Sequence, residues 1–483
     1  LPPEFDSIVA SAKTRYLSFL LEDIEGGAVP ELLAAEEQVS EFVRALGLGL
    51  LQVFVDVRYA QAKESRGPCS CGGPATIHRT TKWRRETPFG PVVVRDPYVY
   101  CRDCGDAERP LHGFLGTDRE TWSLLVQEAA VDFVADESAG AAVAKLARHH
   151  PGVEMDRTAA LRMLHAHGKQ ARDFIDHKLG AARELAALPA QQHDEVAAEE
   201  LEVEWDGGMI PVATLEPIDV AEGEEPELTP VRGLPKRRRA CRWEESKVGL
   251  AQKPGEADRL YTVRPTGELD ESFDDLFALA CLKGCTEQTL VRGIADGAPH
   301  IRPRMEEAFN AGPFRFILDR PHCKEHLSDA GEQLQAEGVL GTDVTVQQWA
   351  SDALDRLETG DVANVVAELT QAWEASGPDP EARNDALRLE AAYFKRNGDA
   401  VQYAQYRALG WSTASSEVES AHRHVVQARV KIAGAWWHPD RVGNILALRM
   451  LRANGWWHEY WAEQRRAWRT RAQTYAKRRR DAA

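Results

Sequence analysis

The order of strands and helices after residue 200 constrains the fold of this chain more than any other feature of the sequence. Leu201, Val203 and Trp205 alternate with acidic residues, which predicts a half-buried strand that continues to residue 215. Apolar runs predict four more strands, at residues 247–251, 260–263, 289–295 and 314–318. Amphipathic helices are predicted at residues 273–281 and 300–309. An α/β domain therefore begins near residue 201.

Three strands that can meander, then a helix, a strand, a helix and a strand, form the layout of an RNase H-like fold. This layout puts Asp206 on the first strand and Asp296 just past the fourth. Asp206 also has a simpler interpretation, because an Asp-Gly pair after a strand is typical of a hairpin turn. If it is not a turn, Gly207 and Gly208 would leave space for a metal ion and a phosphate beside the carboxylate.

The rest of the sequence is mostly helical, and it predicts an all-α insertion within the α/β domain. We expect the following division: an N-terminal helical region (1–63), a cysteine-containing module (64–105), a second helical region (106–190), the first part of the α/β domain (201–341), a helical insertion (342–412), and the completion of the α/β domain with a basic tail (413–483).

Two close cysteine pairs, each followed by glycine, predict a structural zinc ribbon. The ligands would be Cys69, Cys71, Cys101 and Cys104, since paired thiolates on glycine-containing turns suit tetrahedral zinc. The first pair has one intervening residue where two are usual, and four free thiols are the alternative. The strand between the pairs is expected to be interrupted at Pro97. A second zinc site at Cys281, Cys285, Cys323 and His326 is a weaker possibility than buried free thiols.

Two short helices after residue 137 resemble a helix-turn-helix. Ser138 and Asp156 are the expected N-caps, and the connection between the helices is longer than usual. An ordinary helical hairpin is the alternative. The second helix carries four basic residues that we expect to be exposed and to contact DNA, namely Arg157, Arg162, Lys169 and Arg172.

Charge is segregated along the chain. The formal net charge is −17, yet residues 420–483 contain fourteen Lys or Arg against four acidic residues. The basic end suits a nucleic-acid partner, whereas the acidity elsewhere is equally well explained as a solvated surface. No apolar run is expected to reach the length of a membrane span, and the acidic N-terminus lacks the features of a signal peptide. We expect a cytoplasmic, nucleoid-associated protein with no membrane partner.

Several motifs occur in a fixed order along residues 201–461. They are Trp-Asp206-Gly-Gly, Ala-Asp296-Gly-Ala, Leu-Asp319-Arg-Pro-His322-Cys323-Lys-Glu-His326-Leu, Val418-Glu419-Ser, Arg429-Val-Lys431, Gly434-Ala-Trp436-Trp437 and Asn444-Ile-Leu-Ala-Leu-Arg449. In these motifs the chain resembles the DDE transposases of bacterial insertion sequences, on the Mutator-like side and nearest the Kra-type group.

The resemblance implies that Asp206, Asp296 and Glu419 form the catalytic triad and bind Mg²⁺ or Mn²⁺, with the helical insertion lying before Glu419. Carboxylate oxygens suit these hard cations, which phosphoryl transfer on DNA uses in pairs. Asp319 is the alternative to Asp296, although it and His322, Cys323 and His326 better suit a supporting role. Glu417 is the alternative to Glu419; both lie in a helix with expected serine caps, and side chains two residues apart on a helix point in different directions.

Basic residues near the end of the chain are interleaved with tryptophans. We expect DNA contacts from Arg423, Arg429, Lys431, Arg441 and Arg449. The tryptophans are expected mainly to pack, namely Trp436, Trp437, Trp456 and Trp457.

The resulting expectation is a transposase that binds the terminal repeats of an insertion sequence, cleaves the DNA strands and joins them to target DNA. Two ends must be processed together, so a homodimer or larger assembly on double-stranded DNA is expected. Two alternatives stay open. One is a domesticated DNA-binding protein that has kept the fold, and the other is a related nuclease that cuts without strand transfer.

Overall fold

The computed structural model describes residues 32–64, 69–115, 120–186, 197–218, 235–265 and 269–481, and isolated helical positions between residues 6 and 18. The chain is mixed α/β and divides into two compact units. The first unit contains residues 1–167 and 456–483, and the second contains residues 168–455. The end of the chain, which the sequence analysis grouped with the α/β domain, therefore belongs to the first unit.

The described elements are as follows. The strands are β1 (Ala75–Thr87), β2 (Gly90–Cys101), β3 (Ala107–Glu108), β4 (Glu200–Pro217), β5 (Arg237–Gln252), β6 (Arg259–Arg264), β7 (Leu290–Ala295) and β8 (Phe314–Leu318). The α-helices are α1 (Leu32–Glu64), α2 (Pro110–Leu115), α3 (Leu124–Asp136), α4 (Ala139–His149), α5 (Arg157–Ala186), α6 (Leu269–Leu282), α7 (Ile301–Ala308), α8 (Arg320–Ala336), α9 (Val346–Glu358), α10 (Val362–Ala375), α11 (Asp385–Asn397), α12 (Tyr403–Ala408), α13 (Ser416–Ala421), α14 (Ala428–Val430), α15 (Pro439–Ala453) and α16 (Trp457–Asp481).

The first unit contains an antiparallel sheet of order β1-β2-β3. Val92, Val94 and Leu111 form its buried core with Val55 and Ala62 of α1. Strand β2 continues through Pro97 and pairs with β1 along its whole length, so the expected interruption is wrong. The caps expected at Ser138 and Asp156 are confirmed, because their side chains accept hydrogen bonds from the backbone N–H groups of Ala141 and Ala159.

Helix α1 corrects one expectation, because by length and composition it could cross a membrane. Its most apolar window has a mean hydropathy of 1.3. The same composition suits a helix that packs on a sheet, and α1 does this through Val55 and Ala62. It is the one helix among the described residues that is long and apolar enough, and a single such helix is weak evidence for a membrane span.

The second unit is built on a mixed sheet of order β6-β5-β4-β7-β8. Strands β6, β5 and β4 pair antiparallel, whereas β4, β7 and β8 pair parallel. Each strand and helix predicted between residues 201 and 318 is present, although β5 begins ten residues before its expected start at residue 247. Apolar runs separated by turn residues were enough to predict this order.

Strand β4 lies at the centre of this sheet and is not half-buried as expected. Trp205 stacks on Phe273 of α6 at 5.0 Å and donates a hydrogen bond to Ser272. On the opposite face of the strand, Glu204 is fully buried and accepts a hydrogen bond from the backbone of Val418 in α13. The acidic residues that suggested a solvent-exposed face are therefore covered too, because helices lie on both faces of the sheet.

Helices α8 to α12 follow β8, as the predicted insertion requires. After α13 the chain forms one π-helical segment, His422–Gln427, before it returns to α-helix in α14. The serine cap expected at the start of α13 is wrong. Ser415 occupies the N-cap position without a side-chain cap, and its hydroxyl instead donates to the Asp319 carboxylate at 2.9 Å.

Candidate active site and metal centre

The four cysteines of the predicted zinc ribbon come together where β1 begins and β2 ends. Their Sγ atoms all lie within 4.8 Å of one another, with 3.4 Å between Cys69 and Cys104 and 3.6 Å between Cys71 and Cys101. Tetrahedral zinc with Zn–S bonds of about 2.3 Å needs sulfurs about 3.8 Å apart. The cluster therefore fits a structural metal such as zinc, and its four sulfurs would fill the coordination sphere.

Two glycine turns position these sulfurs. Gly72 and Gly105 follow the two cysteine pairs with positive φ values of 83° and 79°, which side-chain-bearing residues rarely adopt. A hydrogen bond with the backbone of Cys71, together with one from the Cys104 thiol, lowers the pKa of Cys69 to about 7. The single residue within the first pair is thus no obstacle to convergence.

The second zinc site considered from sequence does not form. Within the described ranges, the four-cysteine cluster is the only group of metal-ligating side chains that meets this distance criterion. Cys323 is buried beside Tyr403, and burial raises its pKa to about 12. His326 stacks on Tyr393 at 3.7 Å, and its Nδ1 lies 2.8 Å from Glu390. Cys323 and His326 thus join α8 to the helical insertion.

Acidic residues lie at one edge of the second sheet, with Asp206 inside β4 just past the point where β7 stops pairing with it, and Asp296 and Asp319 directly after β7 and β8. Glu204 of β4 pairs with Ile294 of β7, so Asp206 and Asp296 each lie two residues beyond a paired position. Asp319 directly follows β8, whose last residue pairs with the last residue of β7. Because the carboxyl ends of parallel strands meet at one edge, the sheet brings these side chains to the same region.

Asp206 is the electrostatic centre of this group. Burial, together with the charges of Asp296 and Glu419, raises its pKa to about 6, although the charge of His322 lowers it. Its side chain is 19% exposed. Three carboxylates from distant parts of the sequence therefore interact electrostatically. Their oxygens do not all lie within 4.8 Å of one another, as the four cysteine sulfurs do.

Asp319 is occupied by structural contacts. One carboxylate oxygen accepts hydrogen bonds from the backbone N–H and hydroxyl of Ser415, and the other lies 2.6 Å from Nδ1 of His322. Burial would raise the pKa of Asp319, but these hydrogen bonds outweigh it and the pKa is lowered. The same hydrogen bond raises the pKa of His322 to about 9, so a positive imidazolium faces Asp206 and Asp296. This geometry favours Asp296 over Asp319 as the second acid.

Glu417 and Glu419 point to different neighbours. Glu417 forms an ion pair with Arg259 of β6 at 2.9 Å. Glu419 is 39% exposed, interacts electrostatically with Asp206 and lies 3.4 Å from Arg423 one turn later. Glu419 is therefore the helix carboxylate that joins the group around Asp206.

Glu204 is a site residue that sequence reasoning missed. It is fully buried, and its Oε2 accepts the backbone N–H of Val418 at 2.7 Å. Together with Asp319, which holds Ser415, it attaches the start of α13 to the sheet. Two buried carboxyl groups thus fix the helix that carries Glu419, and no local sequence pattern reveals a partner 214 residues away.

Glu204 should make stability depend on pH. Burial raises its pKa from 4.5 to about 8, so between these values the folded state keeps a proton that the unfolded state releases. Stability should therefore fall as pH rises from about 5 to 8, by an upper limit of about 5 kcal/mol for this group. We expect Glu204→Gln to gain stability relative to the wild type across this window in chemical unfolding. A difference between the two proteins that is the same at pH 5 and pH 8 would contradict this assignment.

His422, in the π-helical segment, also contacts Asp206. Its Nε2 lies 3.2 Å from the backbone oxygen and 3.3 Å from the carboxylate of Asp206. Burial lowers the pKa of His422 to about 4, so the ring is neutral and donates from Nε2. Single-turn π-helices often occur at functional sites, and this one turns His422 toward β4.

The two glycines after Asp206 have a different function from the expected one. The strand continues straight through them, which excludes the hairpin turn. A side chain at Gly208 would overlap the ring of His422, and one at Gly207 would overlap the carboxylate of Glu245. The glycines therefore make room for neighbouring side chains and not for a metal ion and a phosphate.

The helical insertion supports Asp296, a function that its sequence did not suggest. Arg396 and Asn397 at the end of α11 donate hydrogen bonds to the carbonyl of Gly297, at 2.9 and 3.1 Å. Asn397 is 1% exposed and fills the space beside Gly297. The insertion thereby fixes the turn that begins at Asp296.

The basic residues proposed to bind DNA separate into two groups. Arg157, Arg162, Lys169, Arg423, Lys431 and Arg441 are exposed. Three others have their side chains committed within the protein, contrary to expectation. Arg172 forms an ion pair with Asp176 and donates a hydrogen bond to the carbonyl of Val263. Arg429 is 2% exposed, and its guanidinium lies over the ring of Trp437. Arg449 donates hydrogen bonds to the carbonyls of His424 and Val425. The tryptophans expected to pack are buried or half-buried.

Comparison of this chain with protein-family models finds no match, and comparison with curated proteins finds none either.

Proposed function

We propose that this chain is a DNA transposase of the DDE type. The observation that carries the proposal is geometric: Asp206 and Asp296 lie just past the same end of the parallel pairing between β4 and β7, and Glu419 acts electrostatically on Asp206. Asp206 lies within β4, Asp296 directly follows β7 and Glu419 lies on α13, and these residues are separated by 90 and 123 positions in the sequence. A concentration of carboxylates at a strand edge, with its own buried supports, is typical of a functional site.

The fold proposed for the second unit is RNase H-like. Three antiparallel strands followed by two parallel strands, with helices between the later ones, support it. The motifs around Asp206, Asp296, Asp319 and Glu419 resemble those of Mutator-like transposases of the Kra-type group, and helices α9 to α12 occupy the position of the expected insertion.

Asp206, Asp296 and Glu419 would hold Mg²⁺ or Mn²⁺. Their oxygens are the donors that these ions prefer, and a cation would offset the negative charges of Asp296 and Glu419 that act on Asp206. Bound cations would activate an attacking oxygen, from water or a DNA 3′-hydroxyl, and stabilise the leaving oxygen. Ligands of a two-ion site surround two centres, so their oxygens need not all lie close together.

The protein's own residues would orient this chemistry. His422 fixes the backbone of β4 at Asp206, while Glu204 and Asp319 fix the helix that carries Glu419. Asn397 fixes the turn at Asp296. The imidazolium of His322 supplies a positive charge suited to a DNA phosphate beside the carboxylates.

DNA binding would use the first unit as well. The four-cysteine cluster, with zinc bound, would hold its sheet rigid, and exposed Arg157 and Arg162 on α5 are available to phosphates. Exposed Arg423, Lys431 and Arg441 would bind DNA from the second unit. Since two terminal repeats must be joined to one target, we propose that the chain acts as a homodimer or larger assembly on double-stranded DNA.

The direct test incubates the full chain with duplexes that carry the repeats flanking its gene, plus target DNA and Mg²⁺. We expect nicks at the repeat ends that expose 3′-hydroxyls, followed by covalent joining of those ends to the target. EDTA should abolish both products. Sequencing the joints would locate the cleaved bonds.

Other outcomes would replace the proposal with one of its alternatives. Nicked products without joined products would identify a nuclease that lacks strand transfer. Specific binding of the repeats without any cleavage in Mg²⁺ or Mn²⁺ would identify a DNA-binding protein that has kept the fold and lost the activity.

A further inference from the structure

Beyond Asp206, strands β4 and β5 leave the five-stranded sheet together. Strand β7 pairs with β4 only as far as Glu204, and β6 pairs with β5 only from Lys247 onward. Residues 207–217 and 237–246 therefore continue as a two-stranded antiparallel segment, which we call the ribbon. At about 3.3 Å per residue it extends about 36 Å from Asp206, roughly one turn of B-form DNA.

The ribbon is held midway along its length by the segment that contains Trp436 and Trp437. The backbone of Trp437 exchanges hydrogen bonds with Pro211 and Ala213 of β4. Trp436 contacts Trp243 of β5 edge to face, with ring centroids 6.0 Å apart. The ribbon is thus attached to the second unit on one edge, and its orientation is defined.

Arginines on the ribbon lie on two faces that differ in their neighbours. Directly opposed residues share a face, and the pairs Arg239–Leu215 and Arg237–Pro217 put these arginines on the face of odd-numbered residues. Arg238 and Arg242 lie on the even face. There Arg238 is 3.9 Å from Glu216, and Arg242 is 2.5 Å from Glu244.

The odd face has uncompensated positive charge. Arg237 and Arg239 are exposed and form no ion pair with any residue that the structure describes. Trp243, 53% exposed, continues the face toward the base of the ribbon, where the Lys431 ammonium lies 5.8 Å from its ring centroid. Leu215 is 61% exposed on the same face. Cations and an aromatic ring therefore form a stripe along one side of the ribbon.

We propose that the odd face of the ribbon binds the phosphate backbone of double-stranded DNA. A two-stranded ribbon fits the major groove, and unpaired arginines on it can reach phosphates on either side. Charge complementarity identifies the partner, since Arg237, Arg239 and Lys431 form no ion pair with any described residue, whereas Glu245, the described carboxylate on this face, pairs with Lys247. The inference rests on the proposed function in taking DNA as the ligand, and it adds a binding surface that the sequence motifs did not include.

The ribbon also explains the basic run at residues 236–239. Residues 237–239 are strand, so the run does not project all its charge in one direction. Alternation sends Arg237 and Arg239 to one side and Arg238 to the other. Arginines on the even face therefore serve as a matched control for those on the odd face.

The test compares two double variants of the full chain, Arg237→Gln with Arg239→Gln, and Arg238→Gln with Arg242→Gln. Both remove the same charge from the same strand, and both keep residues 219–234 with their five carboxylates unchanged. Affinity for a duplex of about 40 base pairs, roughly four turns, is measured across a series of salt concentrations. The odd-face variant should lose affinity, and the slope of log K against log salt should fall in magnitude by about 1.8, which is two phosphate contacts. The even-face variant should keep the wild-type slope within about 0.5.

Equal slope changes in the two variants would overturn the proposal, because the effect would then follow net charge and not the face. Unchanged slopes in both variants would overturn it as well. Strand cleavage is measured on the same samples to separate this inference from the proposed function. A wild-type protein that cuts and joins DNA with no odd-face effect loses only the ribbon proposal. A protein that shows the odd-face effect but never cuts loses only the transposase proposal.

Discussion

Replacing Asp206 with asparagine is expected to slow DNA strand cleavage by on the order of 10³-fold or more, about 4 kcal/mol in activation free energy. The substitution keeps the size of the side chain, replaces one acceptor oxygen with a donor NH2 group, and removes the charge on which Asp296 and Glu419 act. DNA binding should stay within about twofold, because the exposed arginines are untouched. Single-turnover cleavage of labelled repeat DNA and a binding titration measure the two quantities.

The matched control is Asp270→Asn. Asp270 is 81% exposed and pairs with Arg304 on the surface, so its loss should change neither quantity appreciably. If Asp206→Asn cleaves DNA at a rate within tenfold of the wild-type rate, Asp206 is not a catalytic residue. An equal loss of DNA binding in Asp206→Asn would mean that the defect lies in folding or affinity.

Replacing Cys101 with serine is expected to release the structural metal and destabilise the first unit. Cys101 is the buried member of the four-cysteine cluster and also pairs with Ala75 at the start of β1. Structural zinc contributes on the order of 10 kcal/mol to small zinc modules. Loss of even about 5 kcal/mol should lower the Tm of a unit of roughly 200 residues by about 10–20 °C. The zinc content measured by metal analysis should fall from one ion per chain toward zero.

Cys241→Ser provides the control for this experiment, because Cys241 is exposed on the ribbon and lies outside the cluster. It should retain zinc and the wild-type Tm. A wild-type chain that is purified with less than one zinc, and that stays metal-free after refolding in zinc-containing buffer, would contradict zinc binding by the four-cysteine cluster. So would a Cys101→Ser protein that keeps its metal and its thermal transition.

The strand and helix order of the second unit was predictable because it depends on local pattern. Apolar alternation and short apolar runs mark each strand, and the turns between them carry glycine or proline. The four-cysteine cluster was predictable for a similar reason, since thiol pairs followed by glycine have few other uses. In both cases the residues that define the feature are close in sequence.

The supports of the candidate site were not predictable, because their partners are distant. Glu204 had the sequence context of a solvent-facing residue, but a backbone N–H 214 residues later makes its burial possible. Asn397 lies in an insertion without any recognisable motif, yet it holds the turn after Asp296. Contacts of this kind depend on which elements the sheet brings together, and no local window contains both partners.

The errors among the basic residues have the same origin. Arg172 and Arg429 have the spacing of a charged helix face, but Arg172 forms an ion pair with Asp176 and Arg429 stacks on Trp437. Arginine can cover apolar surface with its stem and stack its guanidinium on a ring, so its charge alone does not predict exposure. Sequence identified the basic regions and not the individual residues that reach solvent.

The pairing of β4 with β5 makes the length of the ribbon strands a constraint of its own. Side chains alternate between faces, so an insertion or deletion of one residue between Arg239 and Lys247 would move Arg237 and Arg239 to the side that carries Glu216. A change of two residues would restore the alternation, and a change in length between residues 219 and 234 would leave these pairs in register. A shift of one position in the strand register would therefore remove the arginine stripe, even if every side chain on the ribbon were retained.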